Sequence, residues 1–350
     1  MELDIVSYGR RGPGARATLS VEQIEQVKRT VGRAAEVLVK VSGGARDTGA
    51  ARAHLKYIDR HGKLQVETDE GVTLQGRTVA DGLIADWQLD LCRSHYIAKP
   101  AAGAKDLRAK LVHHIVLSMP AGTPPKKVLN AARSFARENF ALQYRYALVL
   151  HTDQAHPHVH LVVKCNHEFQ PGRRLYVRKD TLRAWREQFA ALMREEGVAA
   201  NATPRQLRGA RKGFKDPIHH RLRELRVSKD ARNETVERAP AVSSFMRRRL
   251  QSVAEEIQKG GAVWEGGRDR LLATRSEVVG AWRVVAGKLR SQGDLQLASE
   301  VDRFVSSLPS PATDREDLKA RLLAHLNDRR RAAASVERTA EIPPRNVNSR

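Results

Sequence analysis

Cysteine is nearly absent: the chain of 350 residues has two, Cys92 and Cys165. They are far apart and have no metal-ligand spacing, so two reduced thiols are expected, with neither a disulfide framework nor a structural zinc site. Long apolar runs are also missing. None approaches the roughly 20 residues that span a bilayer, and the start M-E-L-D-I-V has neither a basic leader nor a long apolar stretch. A soluble protein made in the cytoplasm, without a membrane span, is the expectation. Acidic residues are outnumbered, 40 against 62 lysines and arginines, for a net charge of +22. That excess favours a polyanionic partner through phosphate neutralisation and counterion release, with a membrane surface as the competing partner. An apolar content of 41% is enough for one sizeable core plus a further module.

What is abundant locally is histidine. The stretch H-T-D-Q-A-H-P-H-V-H-L-V-V-K, 151–164, holds His151, Asp153, His156, His158 and His160. Its second half alternates like a strand, so His158 and His160 project together while Val159, Leu161 and Val163 face the other way. The apolar, β-prone run Tyr144 to Leu150 precedes it. A hairpin between the two would return His151 beside the pair. Three imidazoles converging from paired strands can hold a divalent cation and leave other positions open. Asp153 can orient a ligand imidazole or bind metal through water. His156 shares the parity of the pair but Pro157 interrupts the ladder, so it is assigned a supporting or structural place.

Read in order, S-Y-G-R-R-G-P-G-A-R near the start is a flexible basic arm. Ser20 and Gln23 resemble a capping box opening a helix over 21–34. V-L-V-K-V, 37–41, alternates as a strand and runs into the glycine-rich loop S-G-G-A-R-D-T-G, either a ligand-approaching loop or a simple turn. An Ala-rich helix follows from Thr48 to Gly62, with Tyr57 near its end among His54, Lys56, Arg60 and His61. That setting attracts phosphate and favours a phenolate, although on these residues alone a buried structural tyrosine is the better reading. A hairpin turns at Asp69 to Gly71, and a helix carrying Trp87 leads toward Tyr96. V-H-H-I-V-L-S, 112–118, is a strand whose His113 and His114 face opposite sides; one lines the site or both are satisfied sheet histidines. A helix over 125–139, R-L-Y-V-R at 174–178 and a long helix over 179–196 complete the unit. Mixed blocks with several hairpins argue for an α+β fold with a mainly antiparallel sheet. Beyond 200 strand signals vanish, and basic helical segments appear around 204–228, 243–259, 268–304 and 314–334. P-R-Q-L-R-G-A-R-K-G-F-K either tracks a nucleic-acid backbone or forms a solvated basic face. The expected division is a basic arm and helix over 1–35, a nuclease domain over 36–200, a basic helical region over 201–335 and a disordered tail over 336–350.

Four ordered motifs, V-K-V-S-G-G, H-L-K-Y-I-D-R-H-G-K-L, H-H-I-V-L-S-M-P-A-G-T and H-T-D-Q-A-H-P-H-V-H-L-V-V, make the chain resemble the relaxases of conjugative and mobilisable plasmids. The similar branch holds the mobilisation nucleases and the border-nicking nuclease of T-DNA transfer, over residues 35–200. The resemblance implies a two-layer sandwich with a five-stranded antiparallel sheet, Tyr57 as nucleophile, and a metal, Mg²⁺ or Mn²⁺, on His151, His158 and His160. It implies nicking of single-stranded DNA at an origin of transfer, a 5′-phosphotyrosine adduct, and relaxosome proteins and a type IV coupling protein as partners. Export covalently attached to the transferred strand goes with it. Three nitrogen ligands suit Mn²⁺ better than Mg²⁺. Asp153 is the first candidate for general base, with Glu67 and Asp69 behind it. His114 joins His156 as a supporting histidine, and Arg46, Lys56, Arg60 and Lys164 are candidates for contacting DNA.

Three rivals remain at this stage. H-P-H-V-H-L-V-V also satisfies the pattern of histidine-triad nucleotide hydrolases, with His158 as nucleophile, but that chemistry needs neither the Tyr57 motif nor the large positive charge. A rolling-circle replication initiator shares the tyrosine chemistry yet often pairs two tyrosines. A non-catalytic DNA-binding accessory protein has no need of the Tyr57, His151, His158 and His160 set.

Overall fold

The computed structural model describes residues 18–92, 98, 100–101, 106–210, 227–229, 235–237, 244–260, 265 and 267–340. The basic arm and Tyr96 lie outside them, as does most of the first basic segment after residue 200. The chain divides into two compact units, one spanning Leu19–Pro204 and the other holding the helices beyond Arg205.

The first unit opens with α1 (Val21–Val31), started by the Ser20–Gln23 capping box. α1 belongs to this unit and not to a separate arm. Thr30, buried near the helix end, shares hydrogen bonds with Asn201 and Thr203. Strand β1 (Ala35–Glu36) pairs in parallel with β8 (Ala200–Asn201), so chain direction returns here after the whole unit has been traced.

The remaining elements are β2 (Leu38–Ala45), α2 (Thr48–Ile58), β3 (Val66–Thr68), β4 (Thr73–Leu74) and α3 (Val79–Asp86), followed by β5 (Val112–Ser118), α4 (Pro125–Phe140), β6 (Tyr146–His151), β7 (His158–Lys164) and α5 (Lys179–Glu195). One antiparallel sheet runs β2-β5-β7-β6-β3-β4. It contains five principal strands and a two-residue edge, β4. The α+β reading with a central antiparallel sheet holds.

Alternation decides which face each residue serves. Ile115, Leu117, Val159, Leu161 and Val163 face α4 and α5, where Phe135, Trp185, Phe189 and Met193 fill the core. Phe135 meets Trp185 edge to face at 5.8 Å between ring centroids, and burying each such ring stabilises by about 2 to 3 kcal/mol. The opposite face is also partly covered. α2 and α3 bring Ala51, Leu55, Ile58, Leu83, Ile84 and Trp87 onto Val112, Ala147, Val149 and Val162. Helices therefore flank the sheet on both sides, where the resemblance implied two layers.

One local expectation changes. S-G-G-A is not a loop, because β2 continues through it to Ala45. A Cβ on Gly44 would come within 2.6 Å of the Val112 carbonyl oxygen, so glycine there permits strand pairing and not ligand approach. R-L-Y-V-R at 174–178 forms no strand beyond one bridge, Asn166 to Arg174. The Arg174 guanidinium donates to Asn166 and to the Lys110 carbonyl, and the Leu175 N–H donates to the Cys165 carbonyl at 2.7 Å.

The second unit consists of α6 (Ser244–Lys259), α7 (Arg268–Ser291), α8 (Leu295–Ser306) and α9 (Asp314–Ala340). The segment expected as one helix over 268–304 breaks at Gly293, whose φ of 85° stops α7. Trp282 is buried against Phe304, and its indole N–H donates to the Leu207 carbonyl at 2.7 Å. Strand structure does not vanish after 200: Val227–Lys229 and Thr235–Glu237 pair antiparallel. α9 continues to Ala340, so the tail expected to be disordered from 336 is helical for its first residues. Among the described residues no helix is long and apolar enough to cross a membrane.

The end of α2 offers a stability test. Arg60, His61 and Gly62 have φ of 53°, 58° and 84°, and a Cβ on Gly62 would run into the Gly76–Arg77 backbone. Gly62→Ala is expected to lower unfolding free energy by about 1 to 3 kcal/mol. Urea denaturation followed by circular dichroism measures this, and an unchanged midpoint would contradict the packing described.

Candidate metal and nucleophile site

β6 ends at His151 and β7 begins at His158, and these two are register partners. Val149 opposes His160, so all three imidazoles stand on the face covered by α2. Their ring centroids lie 5.1, 4.5 and 5.1 Å apart. One nitrogen from each falls within 4.8 Å of the others, and this is the arrangement that can hold a metal ion.

Burial prepares the ligands. Desolvation lowers the pKa of His151, and drives that of His160 down to about 3. Both are therefore neutral at neutral pH, the form that binds a cation. His158 donates from Nδ1 to the His156 carbonyl at 3.0 Å, leaving Nε2 as its lone-pair nitrogen. His160 has a buried Nδ1 with no hydrogen-bond partner. The donor set and this unsatisfied atom both fit a divalent ion that accepts nitrogen.

Tyr57 is 57% exposed, which overturns the buried-tyrosine reading and leaves its ring open to a substrate. It sits on α2 one turn after His54, at 6.3 Å between centroids. His54 in turn lies 6.2 Å from His160 and stacks on His114 at 3.4 Å with the planes 8° apart. Burial pushes His54 down to about 4 and His114 to about 3. His54 was named in the sequence only as a neighbour of Tyr57. Its spacing of three residues from Tyr57 on one helix was the available signal.

Arg60 joins the nucleophile to the triad. Its Nη2 donates to Asp153 at 2.5 Å and to His151 Nδ1 at 3.3 Å, while its guanidinium carbon lies 5.1 Å from the Tyr57 ring centroid. The hydrogen bond from Arg60 holds the Asp153 carboxyl below its usual range. Asp153 is thus ionised beside His151, at 3.9 Å.

Other expected residues lie elsewhere or act differently. His114 is on the site face and stacks on His54. His156 is exposed and contributes its backbone carbonyl. Glu67 forms a two-pronged pair with Arg133 of α4, on the opposite face, and Asp69 pairs with Arg145 near the start of β6. Neither carboxylate meets the triad, because strand parity and strand end place them away from it. Lys164 ends β7, about 20 Å along the strand from His158, and is buried against Glu168. Arg46 is tied to the Arg108 carbonyl and Lys56 to Asp81. Of the four DNA-contact candidates only Arg60 touches the triad.

A mixed α+β domain thus brings three imidazoles that could hold a metal ion onto one sheet face, with an exposed tyrosine on the helix that covers it. A family described as "Relaxase: MobA/VirD2-like, nuclease domain" matches residues 67–198. The matched stretch lies within the first compact unit and holds His151, His158 and His160. The T-DNA border endonuclease VirD2 of Rhizobium radiobacter is 26% identical over 213 residues, covering 56% of this chain and 48% of that protein. VirD2 of Agrobacterium fabrum is 26% identical over 192 residues, covering 50% and 41%. The chain thus spans about half the length of the curated relatives it matches. The conjugative relaxase TrwC, solved metal-free in complex with oriT DNA, aligns over 83% of this chain at 12% identity with a TM-score of 0.29. A structure from work on the molecular basis of vancomycin resistance transfer in Staphylococcus aureus aligns over 49%, also at 12% identity, with a TM-score of 0.33.

Replacing His158 or His160 by Ala is expected to weaken Mn²⁺ binding by at least about tenfold. Isothermal titration of the folded variants checks it, and wild-type affinity in both would remove the triad as the metal site.

Proposed function

We propose that the protein is a DNA relaxase that cleaves single-stranded DNA at an origin of transfer, with Tyr57 as nucleophile. The observation that carries this reading is the exposed Tyr57 ring, linked through Arg60 to His151 in a sheet-borne histidine triad.

An ordinary phenol, with a pKa of about 10, needs a nearby cation or a base to attack phosphorus at neutral pH. Arg60 supplies the cation, held in place by Asp153 and by the Tyr57 carbonyl, to which it donates at 3.1 Å. Tyr57 Oη attacks the phosphorus, and the bond from phosphorus to the 3′ oxygen breaks. The 5′ phosphate stays on the tyrosine, while the phenol proton leaves and the departing 3′ oxygen takes one up. The reverse attack by a 3′-hydroxyl restores both bonds, so one tyrosine serves for cleavage and rejoining. A divalent cation, Mn²⁺ or Mg²⁺, held by His151, His158 and His160 would when bound draw charge from a phosphate oxygen. The coordinating set of three nitrogens favours Mn²⁺.

Asp153 takes a different place from the general base expected of it. Its carboxylate is engaged by Arg60 and is held ionised at low basicity, so it anchors the arginine beside the nucleophile. The net charge of +22 suits a DNA substrate, and relaxosome proteins and a type IV coupling protein are the partners assigned to this reading. Passage of the protein with the covalently held strand belongs to the same reading. The nucleotide-hydrolase alternative loses support, since His156 is exposed and outside the ligand set.

Tyr57→Phe is expected to abolish the covalent protein–DNA band on a denaturing gel while single-stranded DNA binding changes by less than about threefold. Full-rate nicking by this variant would assign the nucleophile elsewhere.

A further inference from the structure

Both ring nitrogens of His151 are already engaged by the protein. Nε2 lies 2.6 Å from the Ile58 carbonyl oxygen, which can only accept, so this nitrogen carries the hydrogen. Nδ1 is then the lone-pair nitrogen, and Arg60 Nη2 donates to it at 3.3 Å. A cation reaches His151 only by displacing one of these partners. The bond to Ile58 is short and is set in the core, where Ile58 is fully buried. The arginine contact is longer, and the Arg60 side chain keeps 29% of its surface exposed. Arg60 is the partner that yields.

Arg60 also has contacts to fall back on. Nη2 is already bonded to Asp153 at 2.5 Å, and Nη1 to the Tyr57 carbonyl at 3.1 Å. Its backbone occupies the left-handed region at φ 53°, a conformation that costs a non-glycine residue about 1 kcal/mol. The fold keeps that strain at the residue whose side chain bridges nucleophile, ligand and carboxylate.

We propose that Arg60 is a metal-responsive positioning residue: its guanidinium guards the lone pair of His151, and once a divalent cation takes that imidazole the freed Nη2 turns to the phosphate held beside Tyr57. The second half rests on the relaxase reading; the competition at His151 does not. Metal loading and anion capture are thereby coupled, because the guanidinium repels the incoming cation until its partner changes. A guanidinium that already lies over the nucleophile is placed to pair with a phosphate oxygen through two N–H groups.

The test uses the full chain without DNA for the first measurement. Mn²⁺ affinity is determined calorimetrically for wild type, Arg60→Gln and Arg60→Lys. Single-turnover adduct formation on single-stranded origin DNA is then followed at saturating Mn²⁺. Arg60→Gln is expected to bind Mn²⁺ about three- to tenfold tighter and to form the adduct at least about tenfold slower, with Arg60→Lys between the two in both. Unchanged or weaker Mn²⁺ binding by Arg60→Gln would overturn the competition. Tighter binding with wild-type adduct rates would overturn the second half. A wild type that forms no adduct, while the Mn²⁺ series behaves as expected, would fault the relaxase reading and leave the guard at His151 standing.

Discussion

The antiparallel pairing of β6 with β7 is the constraint on which the site depends. Opposing His151 to His158 puts His160 beside Val149 on the same face. A slip of one residue in β7 would turn both of its histidines toward α4 and α5 and take Val159, Leu161 and Val163 out of the core on that side. Those three are fully buried, so the hydrophobic core opposes the slip. The ligand geometry is thus enforced from the far side of the sheet, by packing that never touches a ligand.

A second constraint joins the helix to the sheet. α2 stops in a left-handed run, and the Ile58 carbonyl at its end accepts from His151. Together with the burial of Ala51, Leu55 and Ile58 on the sheet, this bond places the last turn of α2, with Tyr57 and Arg60, over the triad. The low pKa values around it follow from the same burial: His54, His114 and His160 are all desolvated, and the guanidinium of Arg60 lies 5.1 Å from the Tyr57 ring centroid. Positive charge is therefore concentrated where a phenolate and a phosphate would come together.

Features carried by short stretches were legible in the sequence. Strand parity alone put His158 and His160 together, the capping box marked the start of α1, and alternation found β5 to the residue. Placement across the chain was not legible. Glu67 and Lys164 have suitable chemistry, but a parity fixed by pairing with β6 aims one at Arg133, and the length of β7 carries the other away from the triad. The segment 174–178 has strand composition, yet it meets the sheet through one bridge, Asn166 to Arg174, and the bond from the Leu175 N–H to the Cys165 carbonyl. Whether Tyr57 was buried or open depended on what packs against α2, and a helix reveals only its own faces. The link from Arg60 to His151 spans 91 positions, a separation that no local pattern encodes.

The most direct test of the account is to trap the covalent adduct on single-stranded origin DNA, trim the DNA with nuclease, digest the protein and locate the residual nucleotide by mass spectrometry. The account predicts the added mass on the peptide containing Tyr57, as a phosphodiester to the 5′ side of the released fragment. Added mass on any other residue, or none on a protein that nicks the same DNA, would contradict it.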